Sequence, residues 1–183
     1  MFLILSCSKY IEIHKVLMSF KKYTIIYYLL LQSIVFSDNG NVQYPNIYFD
    51  FFNGERKSIE DLTNNGPLVI QFWAIWCSPC KKEMFYLNKI RNKYKNLGVE
   101  IICVNTDNSR LITKAKSFLK QKKYGFLVAS DPNSELFKRL SASVMPTTLI
   151  FNKNNEIVFK KEGFMPGDEK IIEQKLKTLI EGS

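Results

Sequence analysis

The sequence predicts an α/β domain: a central mixed β-sheet flanked by helices, with a hairpin-like addition at its N-terminal end. Three observations carry this. The apolar run Leu68 to Trp73 suits a strand covered on both faces, and a second such run, Val99 to Val104, follows it. Between them Cys80, Met84, Leu87, Ile90 and Tyr94 recur at helical spacing, and a strand, helix and strand in that order imply a right-handed crossover joining parallel strands. Farther on, Thr148 to Asn152 and Glu156 to Lys161 flank the turn residues Asn154-Asn155, the pattern of an antiparallel hairpin.

In chain order, Ile47 to Phe52 reads as a strand, Asn53-Gly54 as a turn, and Ile59 to Leu62 as the lead into a short helix. After the first buried strand comes the helix from Pro79 to Asn96, then the second strand. Leu111 to Lys122 repeats the amphipathic pattern through Leu111, Ile112, Ala115, Phe118 and Leu119, and a short strand at Phe126 to Ala129 and a helix from Ser134 to Leu140 follow. Beyond the hairpin, Asp168 opens a last helix through Ile172, Leu176 and Leu179. With 183 residues, 46% of them apolar, one core is expected.

The chain divides into a leader (1–37), a short polar linker (38–45) and the domain proper (46–183). Lys21 and Lys22 precede the apolar run Thr24 to Phe36, and Val35-Phe36-Ser37 precedes Asp38 with cleavage expected after the small residue Ser37, the layout of a secretory signal peptide. Residues before Met18 fit this layout poorly, which marks Met18 as the alternative start. The expectation is an extracytoplasmic, periplasmic domain after cleavage. An uncleaved membrane anchor is the alternative, disfavoured because a spanning helix needs about 20 apolar residues. A lipoprotein at Cys7 lacks the charged segment and long apolar run that should precede the cysteine.

The formal charge of +9 does not indicate nucleic acid. Four of the 26 basic residues and one acid lie before residue 38, leaving 22 against 16, a net +6, and the remaining lysines are interleaved with glutamates rather than gathered with aromatic residues.

The chemistry centres on Trp76-Cys77-Ser78-Pro79-Cys80. Cys77 sits where a buried strand meets a helix, so unpaired backbone N–H groups and the helix dipole favour its thiolate. Pro79 fits an early helical position, where its missing N–H costs no hydrogen bond. Cys77 would attack a substrate disulfide and Cys80 would resolve the mixed disulfide, a bithiol exchange with no bound cofactor. A zinc site needs more ligands than one CxxC, and the sole histidine, His14, lies in the leader. The same lack of histidine removes a Cys-His hydrolase.

The segment Phe72-Trp73-Ala74-Ile75-Trp76-Cys77-Ser78-Pro79-Cys80-Lys81-Lys82-Glu83 resembles the active-site signature of the thioredoxin superfamily, most closely its exported TlpA/ResA-like branch, and the order of elements matches over residues 46–181. Val144-Met145-Pro146-Thr147-Thr148-Leu149-Ile150-Phe151 resembles that family's cis-proline loop and following strand. The resemblance implies a thioredoxin fold, a redox disulfide between Cys77 and Cys80, Pro146 against the cysteine pair, and Met145 pairing with an extended substrate segment. Glu83 matches a glutamate the family places near the redox pair, where a desolvated carboxylate could shuttle the proton of Cys80. Trp76 fits an aromatic cover beside the site, whereas Trp73 reads equally as core.

Two positions depart from the pattern. Gln71 stands where thioredoxins carry a buried aspartate and cannot serve as that base, and Phe85 replaces a proline found in many exported relatives, which questions the helix geometry there. Cys103, inside a strand run, reads as a buried unreactive thiol.

The resulting expectation is a thiol-disulfide oxidoreductase acting as a reductase of exported, cysteine-containing proteins, with cytochrome c maturation as the use the resemblance implies and a membrane redox partner recycling the dithiol. A disulfide oxidase or isomerase needs the same residues at a different potential. A non-catalytic binding module would keep the cysteines as a structural bridge.

Overall fold

The computed structural model describes Tyr44 and residues 46–182. The leader, the alternative start at Met18 and, apart from Tyr44, the linker lie outside the described residues. Among the described residues no helix is long and apolar enough to cross a membrane.

Among the described residues seven strands form one sheet: β1 (Tyr48–Phe51), β2 (Arg56–Ser58), β3 (Leu68–Trp73), β4 (Glu100–Asn105), β5 (Leu127–Ser130), β6 (Thr147–Phe151) and β7 (Ile157–Glu162). The helices are α1 (Ile59–Thr63), α2 (Ser78–Tyr94), α3 (Ile112–Lys122), α4 (Glu135–Arg139) and α5 (Asp168–Glu181), with a 3₁₀ turn at Lys95–Leu97. The strand order is β2-β1-β5-β4-β3-β6-β7. β3, β4 and β5 run parallel, whereas β1, β2, β6 and β7 pair antiparallel to their neighbours, so the sheet is mixed as expected.

Local chemistry sets the elements. The β1–β2 hairpin turns at Asn53, whose side chain accepts from Glu55 N–H at 3.1 Å, and at Gly54, whose φ of 89° is open to glycine without strain. This hairpin adds to the edge of β5 through Asp50↔Ser130 and Phe51↔Ala129. A capping box opens α1: Ser58 Oγ accepts from Asp61 N–H at 3.2 Å, and Asp61 Oδ2 accepts from Ser58 N–H at 2.8 Å. Predicted and observed boundaries differ by one or two residues, the usual fraying of element ends.

Both parallel crossovers, β3-α2-β4 and β4-α3-β5, step in the same direction across the sheet. A right-handed connection therefore lays α2 and α3 on the same face. The packing agrees. One core cluster joins Val69, Trp73, Ile101 and Ile150 to Met84 and Leu87 of α2, Ala115 of α3, and Ile172 and Leu176 of α5. On the other face, Ile70, Phe72, Ile102, Val104, Leu149 and Phe151 pack with Ile59 and Leu62 of α1 and with Leu140, beyond α4. α2 runs unbroken through Phe85, which is 48% exposed and edge-on to Tyr86, so the absent proline leaves the helix intact.

Candidate active site

The loop leaving β3 carries the cysteine pair, and its backbone is tied down just before them. Asp107 Oδ2, from the loop after β4, accepts from Ile75 N–H at 2.7 Å and from Asn105 Nδ2 at 2.8 Å. Lys81 Nζ donates to the Ile75 carbonyl at 3.0 Å. Both backbone groups of Ile75 are thus held, one by a carboxylate and one by an ammonium. Charged partners make these the stronger class of hydrogen bond.

Cys77 and Cys80 form a disulfide with Cα atoms 5.3 Å apart. Cys77 is the N-cap of α2, Pro79 lies in its first turn, and Cys77 Sγ accepts from Cys80 N–H at 3.2 Å. The sulfur of Cys77 therefore occupies the position where a helix N-terminus stabilises negative charge. Cys77 retains slight exposure and Cys80 has none, so only the first sulfur can be approached by another chain. Trp76, 65% exposed, stands beside it, and Trp73 is fully buried against Phe118 at 5.9 Å between ring centroids.

The Met145–Pro146 peptide bond is cis. Phe72 pairs with Thr147 in the antiparallel β3–β6 register, which brings Pro146 level with Trp73, at the end of β3 where the cysteine loop departs. Met145 packs against the core cluster that contains Cys77 and Cys80, and Thr106 Oγ1 lies 3.7 Å from its sulfur.

Glu83 is 1% exposed. It lies one turn beyond Cys80 on the same helix and faces the sheet, where Gln71 Nε2 donates to its Oε2 at 2.6 Å and Thr148 Oγ1 donates to its Oε1 at 2.8 Å. Burial pushes its carboxyl up to about 7; the Gln71 and Thr148 donors and the more distant Lys161 pull the other way, and Asp168 pushes further up. A carboxyl poised there exchanges its proton at neutral pH.

The structure brings Cys77, Cys80, Glu83 and Trp76 together along the start of α2 and sets Met145 and Pro146 on the adjoining strand end. Sequence reasoning misses four contributors. Gln71 reads from the sequence only as unable to act as a base, yet a polar side chain inside a strand buried on both faces is itself a signal, because it must find partners. Thr148 and Cys103 reach the same place through cross-strand register. Asp107 sits in a loop with no motif around it. Cys103, buried and free, donates its S–H to Gln71 Oε1 at 3.4 Å rather than standing in a purely apolar setting. Among the described residues no group of three or more His, Cys, Asp or Glu is gathered as a metal site.

A thioredoxin-like fold with a CxxC disulfide at the N-terminus of a helix defines a thiol-disulfide oxidoreductase. The chain belongs to the Redoxin family, whose profile matches residues 43–176. It is 33% identical over 138 residues to a thiol-disulfide oxidoreductase ResA of Bacillus cereus, covering 75% of this chain and 72% of that protein. It is 32% identical over 121 residues to ResA of Bacillus subtilis (strain 168), covering 66% of each. Among solved structures, StoA from Bacillus subtilis superposes with a TM-score of 0.59 at 25% identity, covering 70% of this chain and 93% of that one. A Chlorobium tepidum chain assigned as a thiol:disulfide interchange protein DsbE gives 0.69 at 28% identity, covering 75% and 95%.

Proposed function

We propose that this chain is an extracytoplasmic protein-disulfide reductase in which Cys77 is the nucleophile, Cys80 the resolving thiol and Glu83 the group that takes the proton of Cys80. The observation that carries this reading is the Cys77–Cys80 disulfide at the N-terminus of α2, and the buried carboxyl of Glu83, one helical turn past Cys80, supports the proton transfer.

In the dithiol form, the Cys77 thiolate attacks one sulfur of a substrate disulfide. The substrate S–S bond breaks, its leaving thiolate takes up a proton, and Cys77 is left in a mixed disulfide. Cys80 then gives its proton to the Glu83 carboxylate and attacks the Cys77 sulfur. The second substrate thiolate leaves and is protonated, so two electrons have passed from the dithiol to the substrate. Trp76 and Met145 flank the reachable sulfur and supply apolar contact to an extended cysteine-containing segment, and Pro146 closes the site beside them.

The leader-like segment before residue 38 supports export, to the periplasm once that segment is removed. An exported reductase ends each turnover as the disulfide in an oxidising compartment, so it needs a membrane partner to return electrons. The likeness to ResA supports cysteine-containing exported proteins as substrates, with apocytochrome c among them. Two measurements test this. Cys80→Ser should accumulate mixed disulfides with exported proteins through Cys77. The reduction potential should lie nearer the about −270 mV of thioredoxin than the about −120 mV of a strong oxidant. An oxidising potential with no trapped adducts would overturn it.

A further inference from the structure

We propose that Gln71 is a positioning residue that fixes Glu83 against the helical turn of Cys80, with the Cys103 thiol setting which way its amide faces. This rests on the reading of Glu83 given above.

Gln71 lies at the centre of β3, fully buried. Its register partners are Cys103 in β4 and Thr148 in β6, and Thr148 is in turn paired with Lys161 in β7. Residues opposite one another in adjacent strands share a face, so this is a polar row running across the sheet beneath α2, inside an otherwise apolar cluster.

A glutamine amide has two N–H donors and one carbonyl acceptor, and here all three are used. Nε2 donates to Glu83 Oε2 at 2.6 Å and to the backbone carbonyl of Cys80 at 3.1 Å. Oε1 accepts from Cys103 Sγ at 3.4 Å. One NH₂ group therefore bridges the carboxylate and the turn that bears the resolving sulfur. A rotated amide would aim its carbonyl oxygen at the carboxylate and its NH₂ at a thiol, losing both good contacts. Burial and the Glu83 charge push the Cys103 thiol well up, so it remains a donor throughout the working pH range.

Among the described residues the charged and titratable groups around Glu83 are few. Cys103 lies on β4, Lys161 on β7 and Asp168 on α5, and the last two pair with each other at 3.0 Å. Each carboxylate oxygen of Glu83 thus has one neutral donor, from Gln71 or from Thr148. These donors favour the charged form against the cost of burial. Remove the Gln71 donor and more of the carboxyl keeps its proton at neutral pH, leaving less acceptor for Cys80.

The test follows the reaction of the full chain, in its dithiol form, with oxidised glutathione across pH 5 to 9, reading release of the second glutathione as Cys80 resolves the mixed disulfide. The wild-type inflection near neutrality should move up by about one pH unit in Gln71→Met, a roughly fivefold slower step at pH 7. Gln71→Asn, too short to span both acceptors, and Cys103→Ala, which frees the amide, should move it the same way by less. These two milder variants, with a carboxyl-carbon NMR titration of Glu83, carry the test if Gln71→Met does not fold. In Glu83→Gln the inflection should vanish, and adding Gln71→Met should change its pH profile no further. An unmoved inflection in the Gln71 variants, with Glu83→Gln still abolishing it, sinks the positioning role alone. An inflection that survives Glu83→Gln sinks the proton-transfer reading and this proposal with it.

Discussion

Gln71 and Phe72 are neighbours in β3, both fully buried, and they face opposite sides of the sheet. Phe72 meets Phe137 edge-on at 5.2 Å between ring centroids, within a cluster built from Ile70, Ile102, Val104 and Leu149. Gln71 meets an amide-seeking carboxylate, a thiol and a backbone carbonyl. The core cluster on the face toward α1 and α4 is built of apolar side chains, whose burial is insensitive to pH. The face toward α2 and α5 has an apolar core too, but spends one row of it on groups whose hydrogen bonds must all be satisfied. One strand thus separates a cluster built of apolar side chains from one that holds a titrating carboxyl.

The contrast between the two faces is greatest at Phe72. Phe72→Ala leaves a cavity that the surrounding close-packed side chains fill only in part, and it should cost about 3–5 kcal/mol of unfolding free energy. That is a large share of the roughly 5–15 kcal/mol a domain of this kind possesses. Urea unfolding should show this loss equally at pH 5 and pH 8. A loss that grew with pH would mean the apolar face is coupled to Glu83.

Glu83→Gln should do the reverse. A carboxyl raised from 4.5 to about 7 by burial binds its proton more tightly in the folded chain. Between those values the folded state holds more protons than the unfolded state, so stability falls as pH rises from about 4.5 through 7 and then levels off. The shift corresponds to about 3 kcal/mol above pH 7. The glutamine variant, with no charge to bury, should lose this dependence and be more stable than the parent at pH 8 by up to that amount, while resolving mixed disulfides more slowly. No gain at pH 8 would mean that the carboxylate is better solvated than its burial indicates.

Thr148→Val sharpens the comparison on a smaller scale. It removes the donor to Glu83 Oε1 and keeps the shape. Hydrogen bonds to charged groups contribute roughly 1.5–3 kcal/mol, so the expected loss is about 2 kcal/mol at pH 8, where the carboxylate needs its donor. At pH 5, where the carboxyl is protonated, the loss should be smaller. A loss of equal size at both pH values would make Thr148 a packing residue.

The sequence reveals the apolar packing of both faces more fully than the polar row, for a physical reason. Apolar strands such as Leu68–Trp73 and the helical recurrence of Met84, Leu87 and Ile90 are written as periodicity, which survives without knowledge of neighbours. Cys77 and Cys80 are legible as a short motif, and Pro146 and Glu83 through the family resemblance that the motif opens. The partners of Glu83 are not, because Thr148 and Cys103 meet Gln71 only through the pairings Gln71↔Thr148 and Gln71↔Cys103. Pairing register is fixed by the whole sheet, and a slip of one residue would turn each of these side chains to the other face. Asp107 is harder still, since nothing local marks a loop carboxylate that folds back onto Ile75 N–H.

The smallest expected effect lies at the start of α1, on the sheet face opposite α2. Ser58 caps α1 on the apolar face through the reciprocal hydrogen bonds with Asp61 at 3.2 and 2.8 Å. Ser58→Ala removes one of the two and should cost about 1 kcal/mol, the usual worth of an N-cap side chain. The α1 residues Ile59 and Leu62 pack only into the cluster of Ile70 and Phe72, so this loss should appear in unfolding curves and leave the pH profile of disulfide exchange where it was. A moved profile would mean that strain passes through the sheet from one face to the other, and the separation of roles within β3 would fail at its mildest perturbation.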